Sequence, residues 1–186
     1  MFGVELETVN LFKNSIYIFK KVFCSKITTS LNLLHREDIN TMKDKYYSNS
    51  KMSSYVFKSK LFSLGEGCFS CCEALTNIVL PYTLTSIGKM SFWCCTSLQR
   101  IHIPEFVKVL PERCFKCCGK LSDVNIHSGI CRIEEACFEK CYSLTSLNLK
   151  DTTFIGKKAF KKCTSLCSVT LPDDIKQVND ELFPKM

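Results

Sequence analysis

The sequence predicts a parallel-stranded solenoid, an α/β repeat fold with short strands stacked on one wall and short helices or turns on the other. Three observations predict it: a 23-residue repeat anchored on phenylalanine, a short apolar alternation inside each repeat, and a cysteine that recurs at one fixed position. A unit of this size cannot bury its own apolar face. Neighbouring units must therefore stack and align their like residues in columns.

The repeat anchors are phenylalanines separated by 23, 23, 23, 22 and 23 residues. They are Phe69, Phe92, Phe115, Phe138, Phe160 and Phe183. With each Phe counted as position 0, leucine stands at +6 and aliphatic residues stand at +9 and +11 in all five full repeats. Alternation at +9 and +11 predicts a strand with one buried face. A further apolar residue follows near +18, and the small residues, Phe and Cys after it have the spacing of a short helical turn.

This pattern resembles the BspA-type leucine-rich repeat family, whose unit reads I-G-x-x-A-F-x-x-C-x-x-L-x-x-I-x-I-P. The segments IGKMSFWCCTSLQRIHIP (87–104) and FIGKKAFKKCTSLCSVTLP (154–172) carry the resemblance most closely. It extends strongly from Leu64 to Phe183. The resemblance implies a leucine-rich-repeat solenoid that binds a protein or a glycan, with a relation to adhesion or to surface antigens.

We expect one continuous solenoid, with degenerate repeats over 1–61, five regular repeats over 62–183 and a tail at 184–186. Extending the frame backward places anchors at Tyr46 and Phe23. An unrelated helical segment around KVFCSKITTSLNLLHREDINTMKDKYY is the alternative. Neither a signal peptide nor a membrane span is expected. The ends show no obvious polar cap, so self-association through the ends, or an origin as a fragment of a longer array, stays open.

Fourteen cysteines are present, and eight of them follow the repeat. Five occupy position +3, namely Cys72, Cys95, Cys118, Cys141 and Cys163. Three more, Cys68, Cys114 and Cys137, stand immediately before the anchor. Buried cysteine behaves as a small hydrophobic residue whose thiol can bond a carbonyl. We therefore predict that the five thiols at +3 are structural and buried.

Two other interpretations of the cysteines are weaker. Zinc would use the C-x-x-C pairs Cys68–Cys71 and Cys114–Cys117, but both pairs follow from the repeat itself. Disulfides would join Cys71, Cys94 and Cys117, whose parallel Cβ vectors suit a bridge poorly. We therefore predict no metal and no cofactor, and leave the redox state of these three cysteines open. Free thiols favour a cytoplasmic location, while the family resemblance leaves the cell surface open.

The candidate binding surface is the outward face of the strands, at positions +7, +8 and +10. Its side chains are mostly small, polar and uncharged. The candidate residues are Asn77, Val79, Gln99, Arg100, His102, Asp123, Asn125, Ser146, Asn148 and Thr170. Solenoids commonly bind partners along such extended faces, so a protein partner is expected and a glycan is possible. A solvated face without any partner is the alternative.

No catalytic residue is predicted, because His35, His102 and His127 are isolated from any nucleophile in the repeat frame. We therefore expect a non-catalytic recognition module. The net charge of +7 raises one alternative, in which a basic outer wall binds nucleic acid or acidic lipid. Its residues are Lys140, Lys157, Lys158, Lys161 and Lys162. A solvated lysine wall is the commoner case, so nucleic acid is not the expected partner.

Overall fold

The computed structural model describes residues 41–57 and 60–172, which form a stack of coils. Each coil contributes a three-residue strand followed by a two-residue strand. In chain order the strands are β1 (Thr41–Met42), β2 (Ser54–Val56), β3 (Ser63–Leu64), β4 (Asn77–Val79), β5 (Ser86–Ile87), β6 (Arg100–His102), β7 (Val109–Leu110), β8 (Asp123–Asn125), β9 (Arg132–Ile133), β10 (Ser146–Asn148), β11 (Phe154–Ile155) and β12 (Ser168–Thr170). The predicted repeats over 1–40, the anchor Phe183 and the tail 184–186 lie outside the described residues.

Every pairing between these strands is parallel and joins equivalent positions of neighbouring coils. Ile101 of β6, for example, lies opposite Val124 of β8. The predicted stack of parallel strands is thereby confirmed. The three-residue strands form the pairs β2–β4, β6–β8 and β10–β12, and the two-residue strands form the sheets β1–β3–β5 and β7–β9–β11. The sequence predicted an inward residue near +18, but not this second set of strands.

The core runs along the stack as columns of identical side chains. Phe69, Phe92, Phe115, Phe138 and Phe160 have no exposed surface. Their rings are nearly parallel, with successive centroids 5.5, 5.4, 5.3 and 5.7 Å apart. Leucines at +6 and aliphatic residues at +9 line the same interior. Each coil therefore covers the apolar face that its neighbour cannot bury alone.

The wall opposite the three-residue strands consists of turns and contains no helix in the described residues, so where the sequence predicted short helices or turns the structure has turns. Two positions in each coil, −2 and +2, take the left-handed backbone conformation; Met90 and Cys94 have φ values of 54° and 58°. A left-handed residue interrupts a right-handed helix. The amide of Phe92, midway between them, donates to the Cys114 carbonyl of the next coil at 2.9 Å. We call this surface, with its stacked turns and coil-to-coil hydrogen bonds, the turn wall.

The first described coil contains Tyr47, not the expected Tyr46, at the anchor position. The Tyr47 ring stacks on Phe69 with centroids 5.3 Å apart and an interplanar angle of 23°. Its amide donates to the Cys68 carbonyl at 2.7 Å, the same bond that Phe69 makes to Ser91. The two tyrosines are adjacent and similar, so sequence periodicity could not separate them. The coil is one residue shorter between its anchor and its strand than the repeats that follow.

Candidate functional site

The strand face consists of the outward side chains of β2, β4, β6, β8, β10 and β12. All ten candidate residues are exposed. Nine lie on the strands, and Gln99 directly precedes β6. From β4 to β10 the central residue of each three-residue strand is buried and its two flanking residues are exposed. The structure therefore brings these side chains together in two rows that run along the stack.

The chemistry of the strand face changes along the stack. Val56 and Val79 lie opposite one another on β2 and β4, and are 54% and 59% exposed. On β6 and β8, Arg100 lies opposite Asp123. Val56 was not among the candidate residues, although its alternation with buried Tyr55 placed it on this face. The face thus has an apolar end, a charged middle and a polar end, the last formed by Asn148 and Thr170.

The five thiols at position +3 have no exposed surface. Each donates a hydrogen bond to the backbone carbonyl of the anchor in the preceding coil, at 3.1 Å in every case. Cys118 bonds the Phe92 carbonyl in this way, and Cys95 bonds that of Phe69. Burial raises the pKa of Cys118 to about 11. The thiols are therefore neutral donors that tie each coil to the one before it.

The C-x-x-C pairs do not converge on a common site. Cys68 and Cys114 have no exposed surface, whereas Cys71 and Cys117 are half-buried on the turn wall. All thirteen cysteines among the described residues are free thiols. In that same part of the chain, no group of three or more His, Cys, Asp or Glu side chains could hold a metal ion.

The two described histidines lie in different settings. His102 is exposed on the strand face. His127 lies in the loop after β8, where Nδ1 accepts a hydrogen bond from the Gly129 amide at 2.9 Å and Nε2 lies 3.0 Å from the Val107 carbonyl. His127 therefore holds its loop in place through both ring nitrogens.

The lysines of the proposed basic wall lie on two consecutive coils of the turn wall. The Lys140 amide donates to the Lys161 carbonyl at 2.8 Å, which holds the two coils in register. Lys140 and Lys162 both occupy position +2. Elsewhere on the stack, Lys116 forms an ion pair with Glu139 at 2.8 Å. Trp93 and Phe106, at outward positions of earlier coils, are 36% and 58% exposed.

Comparison with known families identifies the repeat. The family model for the BspA type leucine rich repeat region matches the chain in six copies, over residues 2–111 and 63–186. The chain belongs to this family. This membership confirms the family resemblance that the sequence showed. The BspA-type chain is a repeat protein. No curated protein sequence matches it significantly.

Solved structures show the same fold. A leucine-rich repeat protein from T. pallidum is 22% identical, with a TM-score of 0.65, and the match covers 80% of each chain. A leucine-rich cell surface protein from Faecalibacterium prausnitzii is 20% identical, with a TM-score of 0.54; the match covers 80% of this chain and 48% of that protein. A leucine-rich repeat protein from Eubacterium ventriosum is 17% identical, with a TM-score of 0.51; the match covers 79% of this chain and 49% of that protein. The BspA-type chain thus spans about half the length of the latter two.

The part of the chain that the structure describes holds no apolar helix of the length needed to span a membrane.

Proposed function

We propose that this BspA-type solenoid is a non-catalytic recognition module that binds another protein along its strand face. The observation that carries the proposal is the repeated burial pattern of the strands, which aligns exposed side chains of successive coils in two continuous rows. Extended faces of this kind are how solenoids usually bind partners. The similar cell surface protein makes adhesion a candidate role.

The residue types of the strand face support a protein partner. Exposed Val56 and Val79 offer an apolar contact at one end, and Arg100 and Asp123 offer charges in the middle. Protein interfaces mix apolar with polar and charged surface in this way. A glycan is the alternative occupant, since Asn125, Asn148 and Thr170 present the amide and hydroxyl groups that bind sugar hydroxyls.

Site-specific photo-crosslinking tests the position of the interface. A photoreactive amino acid replaces Val79 on the strand face in one variant and Val109 on β7 in the other. Both valines are exposed, by 59% and 38%, but they lie on different sets of strands. The variants are incubated with extract from the source cells, and crosslinked partners are identified by mass spectrometry. We expect one protein to crosslink from position 79 and not from position 109.

Alanine substitutions then separate the strand face from the turn wall. Replacing His102 and Asn125 should abolish the crosslink, whereas replacing Lys157 and Lys161 should leave it unchanged. The opposite result would reject the strand face. It would support the basic wall instead, and that wall predicts binding which weakens steeply as salt is raised. A crosslink from position 109 alone would also contradict the proposal.

A further inference from the structure

The turn wall carries a column of three thiols that the recognition function does not use. Cys71, Cys94 and Cys117 occupy position +2 of three consecutive coils, and all three are half-buried at the surface. Their backbones share the left-handed conformation, with φ values of 56°, 58° and 65°. Because position, backbone conformation and coil register are the same, the three Cβ atoms point in one direction.

Hydrogen bonds hold the column in register. The Cys71 amide donates to the Trp93 carbonyl at 2.6 Å, and the Cys94 amide donates to the Lys116 carbonyl at 2.9 Å. The thiols are close enough to affect one another. Burial, and then the adjacent thiols of Cys117 and Cys71, raise the pKa of Cys94 to about 12. Cys94 is therefore the middle member, with one thiol neighbour on each side.

The spacing of the coils selects what can join two neighbouring thiols. Parallel strands lie about 4.8 Å apart, and the buried rings of these coils are 5.5 and 5.4 Å apart. A disulfide needs sulfur atoms about 2.05 Å apart, so parallel side chains would have to close by roughly 3 Å. Two metal–sulfur bonds in a line, each taken as about the 2.3 Å of a zinc–sulfur bond, span roughly 4.6 Å. That span requires a closure of less than about 1 Å.

We propose that Cys94, together with Cys71 or Cys117, binds one soft monovalent ion of the Cu(I) type in linear, two-coordinate geometry. Soft thiolate ligands select Cu(I). Zinc requires four ligands, and no group of three or more His, Cys, Asp or Glu side chains in the described residues is placed to hold one ion together. On binding, each thiol loses its proton to solvent and each sulfur forms one bond to the ion. No electron is transferred.

A competition titration tests the proposal. The protein is fully reduced and kept anaerobic, and Cys24, Cys131 and Cys167 are replaced by serine, so that every remaining thiol outside the column is buried. Cu(I) is buffered by bicinchoninate, whose absorbance reports metal withdrawn by the protein. We expect one equivalent to be bound tightly. Because two protons leave, the apparent affinity should rise about 100-fold per pH unit, whereas capture by one thiol would give about 10-fold.

Single substitutions give a pattern specific to the column. Cys94 belongs to both possible pairs, so Cys94→Asn should lose tight binding. Cys71→Asn and Cys117→Asn should each retain it, and the double replacement of those two should lose it. Asparagine is chosen because Asn49 already occupies position +2 of the preceding coil with φ of 61°. Retained binding in Cys94→Asn would overturn the proposal, and loss in all three single variants would overturn two-coordinate binding. Circular dichroism checks that each variant is folded.

Discussion

At the scale of single residues, the turn wall is built from backbone conformations that its side chains do not favour. Among residues 41–57 and 60–172, eleven non-glycine residues have positive φ, and only Asn49 is of a type enriched there. The sequence signal for such a position is normally glycine or asparagine. Lysine, methionine, arginine and cysteine carry no such signal, so the sequence suggested a helical turn where the structure has stacked left-handed residues.

Lys162 tests the cost of this conformation, because it is exposed and has φ of 64°. Lys162→Gly should relieve strain of about 1 kcal/mol. Lys157 is the matched control, since it is exposed on the same coil, carries the same charge and does not have positive φ. Both substitutions increase the conformational entropy of the unfolded chain by the same amount. The Lys162→Gly variant should therefore be more stable than the Lys157→Gly variant by about 1 kcal/mol. Urea unfolding measures the difference, and equal stability would show that the left-handed turn is unstrained.

The interior thiols were the residues that the sequence described best. Their recurrence at one position of an apolar pattern indicated burial, and the structure gives Cys72, Cys95, Cys118, Cys141 and Cys163 no exposed surface. Their hydrogen-bond acceptor, the anchor carbonyl of the preceding coil, was not specified in advance. Predicting that acceptor requires knowing how far each coil is shifted relative to the next, and this shift depends on how the turns stack.

At the scale of secondary structure elements, the three-residue strands followed from the alternation at +9 and +11. The two-residue strands did not, because one inward residue near +18 gives no period to recognise. Glycine directly follows one of those strands, β5. Its role there is close approach, since a Cβ on Gly88 would lie 2.5 Å from the backbone of Gly65.

Gly88→Ala should therefore destabilise the stack by about 1–3 kcal/mol, because the methyl group forces two coil backbones apart. Gly119→Ala is the matched control, since its Cβ would meet only the Tyr142 ring, at an ordinary distance of 3.5 Å. Thermal unfolding of both variants gives the comparison. Equal effects would mean that the coils can separate at Gly88 without loss of packing.

At the scale of the whole molecule, the buried thiols link stability to alkaline pH. Burial raises the pKa of Cys68 and of Cys163 to about 12, and that of Cys118 to about 11. Their ordinary value is near 9. The folded chain therefore holds these protons more tightly than the unfolded chain, which loses them first as the pH rises. The stabilisation that the protonated buried thiols give the folded chain is fully present below about pH 9 and is lost progressively above it.

We expect the urea midpoint to be constant up to about pH 8 and to fall between about pH 9 and pH 10. Each such thiol contributes a slope of up to about 1.4 kcal/mol per pH unit. Cys118→Ala removes one titrating group, so its slope should be shallower by up to that amount. If the free energy of unfolding stays level or increases through this pH range, the folded chain does not raise the pKa of these thiols.

The strand pairings have a mechanical consequence at one interface. Within residues 41–57 and 60–172, β4 does not pair with β6 and β5 does not pair with β7, so both sets of strands are interrupted between the Phe69 and Phe92 coils. The turn wall is continuous there, through the bond from the Phe69 amide to the Ser91 carbonyl at 2.8 Å. The Gln99 amide still bonds the Thr76 carbonyl at 3.4 Å, and the Phe69 and Phe92 rings stack 5.5 Å apart. Packing and turn-wall bonds therefore hold this interface, and a ligand spanning Val79 and His102 would add a link across it that the strands do not supply.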